Sequence, residues 1–441
     1  MLTERSSVRN VTLPAALVAV LVLAAGCGGS EEPADGVTTI QVWAHDGTPA
    51  ERAVLEKQVA EFDAGRDDVT VDLQFWPEGD YNDRLQAAVA AGTEPDVFEV
   101  DGPLIDGYLY QGVVARLDDL IEPSTQAAQL PSLASQGTRD GHLYSVGLFD
   151  SGLGLYADRR ALRRARVSWP TSIEEAWTVE EFARVLRRLA DGDEDGKVLD
   201  VKLNYGVGEW LTYGFAPLVA SAGGRLIDPE TLDPLGELDG PATRRALEVA
   251  RSWASYLDPN GDDEAFTSRR VALSWVGHWT YRDYEAALGD DLLVLPLPDL
   301  GNGTKSGQGS WSWSIATGDE QRQESGAALL EYLLADEQVL EMADANGAVP
   351  GTTSALASSE LYTEDGPLRL FAEQLLRSCG NLAPGPVCVT VPRPSTPGYA
   401  FLSGQFALAV SAALDGRDAG PALEDAAQAV ADDVAANAGY R

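Results

Sequence analysis

Histidine is nearly missing from this chain: His45, His142 and His278 are the three in 441 residues. None stands in an H-E-x-x-H pair or at another metal-ligand spacing, so a histidine-held metal centre has no sequence support. G-x-S-x-G, a Walker A loop and a G-x-G-x-x-G placed between strand and helix are also missing. The nucleophile elbow, the phosphate cradle and the dinucleotide fingerprint go with them. Positive charge is scarce, 32 Lys and Arg against 69 Asp and Glu, for a formal charge of −37. Such a surface repels nucleic acid and anionic lipid, and it disfavours strongly anionic ligands. Cysteine is confined to Cys27, Cys379 and Cys388. Carboxylates, by contrast, are too numerous for counting to single out a glycosidase-like acid pair.

What is present reads as globular. Hydrophobic residues at 44% and aromatics at 8% exclude widespread disorder, and the length suits two or three domains with substantial cores. At the start, Arg5 and Arg9 precede an apolar run, residues 11–25, that Pro14 interrupts. That is the layout of a secretory signal, short for a membrane span of ~20 residues. It ends in Leu23-Ala24-Ala25-Gly26-Cys27 and resembles a bacterial lipoprotein signal with its lipobox. Ala24 departs from the leucine expected three residues before cleavage; Leu23 stands one place further out. The expectation is a signal peptide over 1–26, a tether over 27–36, and an acylated (palmitate-bearing) Cys27 anchoring the protein outside the cell membrane. In that compartment Cys379 and Cys388, in CGNLAPGPVC with a Pro-Gly-Pro turn between them, should form a disulfide.

Order begins with an alternating strand over 38–43. Thr48 as N-cap, Pro49 at the first helical position and Glu51 completing a capping box predict a helix carrying Leu55, Val59 and Phe62 on one face, stopped by Gly65. Val69, Val71 and Leu73 alternate as a second strand; a helix over 82–91 ends at Gly92, and a third strand covers 96–100. This is a βαβ pattern with a parallel sheet. Trp43 and Asp101 then fall at carboxyl ends of strands, where open α/β sheets place their crevice. Thr178 and Glu181 form a second capping box. In DGDEDGK, Asp191, Asp193, Asp195 and Gly196 match the first half of a calcium loop, but Lys202 stands where its last glutamate belongs, so a solvated acidic loop is the preferred reading. Four of the ten tryptophans, Trp275, Trp279, Trp311 and Trp313, gather with Gly277, Gly307 and Gly309 between residues 272 and 313. Trp-Ser alternation there fits a strand with one buried face; indole beside glycine at loop ends fits stacking on a flat apolar ligand.

Seven pieces in order, AAGTEPDVFEVDGP, GHLYSVGLFDSGLGLYADRRAL, AWTVEEF, ASAGGRL, AFTSRRVALSWVGHW, QGSWSWSIA and PRPSTPGYAFLSGQF, carry a wider resemblance. From about residue 38 to 437 the chain resembles the family 1 extracellular solute-binding proteins of ABC importers, which include maltose-type and multiple-sugar binding proteins. Two departures stand out: Ser268-Arg269-Arg270 where a glycine usually precedes a basic residue, and Gln308-Gly309 for a Gly-Gly pair. The resemblance implies an α/β, two-lobed periplasmic-binding-protein fold of type II with the ligand between the lobes. Lobe one would be 37–148 with 298–350, and lobe two 149–297 with 351–441. It implies a ligand set of Trp43, Asp46, Asp101, Asp150, Trp210, Trp279, Gly309, Ser310, Trp311 and Arg393, with Trp275 and Trp313 left to the core. A carbohydrate suits these groups: its C–H face stacks on indole, carboxylates accept its hydroxyl protons, and Arg393 offers a planar donor fork. It also implies sugar transport by a monomer with no cofactor and no catalytic role, delivering to the permease and touching the membrane only through its anchor. Two alternatives stand beside it: an extracytoplasmic glycan-acting enzyme, and the same fold binding a polyol or phosphodiester.

Overall fold

The computed structural model describes residues 36–380 and 384–440. The signal segment and Cys27 lie outside the described residues. Fourteen strands occur among those described: β1 (Thr38–Asp46), β2 (Val69–Pro77), β3 (Val97–Asp101), β4 (Thr138–Arg139), β5 (His142–Leu143), β6 (Phe149–Asp150), β7 (Leu153–Asp158), β8 (Leu199–Asp200), β9 (Leu273–Gly277), β10 (Leu292–Leu295), β11 (Ser306–Gln308), β12 (Trp311–Ile315), β13 (Val349–Pro350) and β14 (Thr390–Pro392). They build two four-stranded sheets, β12-β3-β1-β2 and β10-β7-β9-β8, and three two-stranded pairings, β11-β14, β13-β6 and β4-β5.

The first sheet forms as its sequence dictates. Ile40, Val42 and Ala44 alternate inward on β1 and are fully buried. Helix Pro49–Ala64 lays Leu55, Val59 and Phe62 over them. β2 and β3 both pair with β1 in parallel, while β12 returns antiparallel along β3. One local expectation fails. Thr48 does accept from the Glu51 N–H at 3.2 Å, but the Glu51 carboxylate turns to His45, 3.5 Å away, instead of closing a capping box. A buried imidazole offers a charged partner, which outcompetes a backbone amide. At Thr178 the box is complete, and the helix Val179–Ala190 buries Phe182, Val185, Leu186 and Leu189.

The second sheet carries a separate core of Leu155, Phe182, Leu218, Trp253, Trp275, Phe406 and Val410 among others. Trp275 and Trp313 are buried in the second and first cores respectively, as Trp-Ser alternation implied. Between the cores the chain passes three times. Phe149 belongs to the first core and Leu153 to the second, so the first passage is β6 to β7. Leu300 is in the second core and β11 pairs with β14, so the second passage lies between Gln308 and Trp311. The third starts at β13, which runs antiparallel to β6, and Ala355 packs in the first core. Arg269, within the Ser268-Arg269-Arg270 departure, takes the left-handed φ of 61° that glycine adopts without strain. Its guanidinium offsets the strain by pairing with Asp158 at 2.7 Å and Asp291 at 3.3 Å.

Cys379 and Cys388 form the expected disulfide. The acidic loop does not converge as a calcium site. Asp193 accepts from the backbone N–H groups of Asp195 and Gly196, and Asp195 from that of Lys197, leaving the carboxylates turned onto their own turn. Among the described residues no group of three or more His, Cys, Asp or Glu is placed to hold a metal ion. No helix among them is long and apolar enough to cross a membrane.

Candidate functional site

The two sheets face each other across a seam whose centre is Arg393, just after β14. Its guanidinium grips Asp101, the last residue of β3, through two parallel bonds of 2.5 and 2.7 Å, and it also donates to Glu209 at 2.7 Å. Both Arg393 and Asp101 are buried, so this is a charge-assisted fork shielded from water. Although burial opposes a charge, the two carboxylates hold Arg393 protonated well above its ordinary range. Glu209, the first residue of the helix Glu209–Ser221, is held in turn by the hydroxyls of Tyr399 and Ser403. The plane of Arg393 lies 4.9 Å over the ring of Tyr213.

Each side of the seam presents aromatic residues. On the first sheet the β12 register sets Trp311 directly opposite Asp101. One face of Trp311 stacks on His45 at 4.3 Å and 9°, and its edge meets Tyr81. Burial alone would lower the His45 pKa, but the hydrogen-bonded Glu99 carboxylate 2.7 Å away raises it to about 10, so Trp311 rests on an imidazolium. On the second, Trp279 folds back over its own loop. A Cβ on Gly277 would fall 2.0 Å from the Trp279 ring, which is why glycine precedes it. Its indole N–H donates to the Tyr205 hydroxyl at 3.2 Å, and its ring meets Trp210 edge-on and Tyr213 at a tilt. Trp210 is fixed by a bond from its own N–H to the Val201 carbonyl.

Small residues close the floor. Gly309 has φ 103°, and a Cβ there would lie 2.6 Å from the Gln136 amide oxygen. Its N–H donates to Asp150 at 3.3 Å, and the Gly102 N–H donates to the Ser310 carbonyl at 3.2 Å. Asp150 is fully buried, and desolvation raises its carboxyl to about 6 against the bonds it accepts. Gln308, the other half of the Gln-Gly departure, accepts at its side-chain oxygen from Thr390 at 3.0 Å and so ties β11 to β14.

Of the expected contacts, Asp101, Asp150, Gly309, Ser310, Trp311 and Arg393 meet at the seam, with Trp210 and Trp279 joined to it through Tyr213. Two lie apart. Asp46 engages Arg52 at 3.1 Å at the exposed end of β1. Trp43 packs edge-on against Trp76 and reaches the seam only through Tyr81, which donates to its carbonyl. Sequence reasoning missed Glu209, His45 and Tyr213 as members of the seam. Glu209 opens the aromatic stretch 209–213, and that position was the one available signal.

The seam also holds buried polar atoms with no partner among the described residues: the hydroxyls of Tyr108 and Tyr213, Nε of Arg393 and Oδ2 of Asp150. Burial, with the nearby Asp101 carboxylate, pushes both phenols above their ordinary range, so they stay protonated and able to donate. Buried groups of this kind are normally hydrogen-bonded, and the four at this seam leave donors and an acceptor free to bond atoms from outside.

The family model described as "Bacterial extracellular solute-binding protein" matches residues 57–369. The diacetylchitobiose binding protein DasA of Streptomyces coelicolor is 25% identical over 371 residues, 78% of this chain and 82% of that one. Among solved structures, the GacH receptor of Streptomyces glaucescens, solved unliganded and with acarbose, superposes with a TM-score of 0.72 at 21% identity, over 90% of this chain and 99% of that one. The maltose/maltodextrin-binding domain MalE of Bdellovibrio bacteriovorus, bound to maltotriose, gives 0.72 at 18% identity over 90% and 100%. These likenesses establish the two-lobed binding-protein fold.

Proposed function

The chain belongs to the bacterial extracellular solute-binding proteins, and on that premise we propose that it captures an oligosaccharide at the Arg393 seam and delivers it to the permease of an ABC importer. The observation that carries this reading is the seam itself. An indole stands on each side, Trp311 paired opposite Asp101 on the first sheet and Trp279 joined through Tyr213 on the second, about a buried fork of Asp101 and Arg393 with unpartnered donors beside it. Pyranose C–H faces stack on indole while their hydroxyls satisfy the fork and the phenols. A site that bonds hydroxyls rejects analogues lacking them, because its own buried groups would be left unpaired.

Capture works by closure. Ligand touches both lobes only when they are together, so it binds that arrangement preferentially and shifts the equilibrium toward it. The lobes we assign are 37–149 with 311–355 and 153–308 with 361–440, joined by the three passages. The closed form docks on the permease, and Cys27, acylated after removal of 1–26, keeps the protein at the outer face of the membrane as a monomer. The relatives named above are called binding proteins or receptors, and we read this chain likewise as a carrier rather than an enzyme.

The test is a thermal-shift and calorimetry screen of maltotriose, diacetylchitobiose and monosaccharides on the purified protein. At least one should raise the melting temperature, and Trp279→Ala and Trp311→Ala should each abolish the shift with the fold intact. Release of new reducing ends during incubation would instead identify a glycan-acting enzyme. Unchanged affinity in both tryptophan variants would place the site elsewhere.

A further inference from the structure

His278 stands between Gly277 and Trp279 and is almost completely buried. Its Nδ1 lies 3.1 Å from the carbonyl of Asn346, which ends the helix leading into β13. Its Nε2 lies 2.8 Å from the Ser151 hydroxyl, in the β6–β7 passage. Ser151 Oγ is in turn hydrogen-bonded at 3.0 Å to Ser310 Oγ, in the β11–β12 passage. A carbonyl can only accept, so Nδ1 carries the ring proton and Nε2 is left to accept from Ser151. Burial lowers the pKa to about 4, and the ring is neutral at pH 7, as this arrangement requires.

We propose that His278 is the positioning residue of the hinge, one imidazole that fastens all three connecting segments to one another and to the Trp279 loop. The three segments are otherwise far apart in sequence: Ser151 and the Asn346 carbonyl meet the ring directly, and Ser310 joins through the Ser151 hydroxyl. The backbone around them is also pinned, by Leu153 N–H to Ser306 Oγ at 2.7 Å, Gly309 N–H to Asp150 at 3.3 Å, Gly351 N–H to Leu148 O at 2.8 Å and the β6–β13 pairing, and the ring adds a side-chain tie across these joins. A ligand that moves Trp279 therefore pulls on the hinge through the adjacent residue. Only this last clause rests on the oligosaccharide reading.

Two substitutions cut the knot at different strands. His278→Asn keeps an N–H where Nδ1 stands and loses the acceptor for Ser151. His278→Gln reaches Ser151 with its amide and loses the donor to Asn346. Amide hydrogen exchange on the full chain, followed by mass spectrometry of peptides covering 148–154, 306–312 and 346–352, reads the outcome. His278→Asn should speed exchange in the first two peptides by roughly fivefold to tenfold and spare the third, and His278→Gln should do the reverse. Ser151→Ala, which leaves the ring intact, should reproduce the His278→Asn pattern. No sugar is needed, so the result decides the hinge role even if maltotriose fails to bind the wild type, an outcome that counts against the transport reading alone. Equal exchange in all variants overturns the proposal. So does a uniform rise in all three peptides with the 182–189 core peptide following, which would show general loosening of the lobe.

Discussion

Arg393→Met removes the charge that bridges the seam while keeping much of the stem's volume. Arg393 makes three bonds of 2.5 to 2.7 Å to Asp101 and Glu209, and it stacks on Tyr213. Without it two carboxylates confront each other, one of them, Asp101, only 6% exposed. Removing one partner of a buried pair typically destabilises by about 3–5 kcal/mol, because the charge left behind is unpaired. Here the molecule has an escape. If the lobes separate, both carboxylates regain water, so the penalty falls on the closed arrangement rather than on the folded chain. The ratio of closed to open should drop by at least about a hundredfold, the lower end of that range. Small-angle X-ray scattering of the ligand-free protein should show a larger radius of gyration, while urea denaturation should lose much less than 3 kcal/mol. The double variant Asp101→Asn with Arg393→Met should recover part of the compaction, since one of the stranded charges is gone. Scattering identical to wild type, with no coupling between the two substitutions, would refute the reasoning.

Three further outcomes follow from buried groups and the cross-link. Asp150 has a folded pKa of about 6, above its ordinary value near 3.8, so the folded chain holds a proton that the unfolded chain has lost. Stability should therefore fall as pH rises from about 4 to 6, and Asp150→Asn should flatten that slope and add on the order of 2–3 kcal/mol at pH 7 in urea melts. His45 has the opposite acid–base character: raised to about 10, it contributes stability in full below its unfolded value of 6.5 and loses it as pH climbs through 10. Denaturation of His45→Gln compared with wild type should show a gap that is constant in mild acid and narrows between pH 7 and 10. Cys379→Ser with Cys388→Ser opens a short loop, so calorimetry should find a loss of roughly 2–3 kcal/mol rather than collapse of the second core.

The sequence was most legible where a rule is local. The Thr178 cap with Glu181, the alternation that buries Ile40 and Val42, the Trp-Ser strand that sinks Trp313, and the turn that closes the disulfide each need only neighbouring residues. It was least legible where a tertiary partner decides. Glu51 sits at a perfect capping position, yet His45, brought beside it by the folding of β1, claims its carboxylate. Asp101 was foreseen as a hydroxyl acceptor, but Arg393, 292 residues later, occupies it in this arrangement. Glu209 gave no motif because its three partners, Arg393, Tyr399 and Ser403, all come from the far end of the chain. The acidic loop shows the converse: spacing alone resembled a cation site, while Asx-type bonds to its own amides settled the carboxylates elsewhere.

The pairing of β6 with β13 and of β11 with β14 has a mechanical consequence. Two lobes joined by one cord could bend, twist and slide. Joined by three plies, two of them bonded to each other as β6 and β13, they should retain little beyond rotation about one axis. Each swing then carries the Trp279 loop along the same path relative to β12, and on the oligosaccharide reading proposed above, selectivity by ligand length would become a property of the joint as much as of the groove it closes.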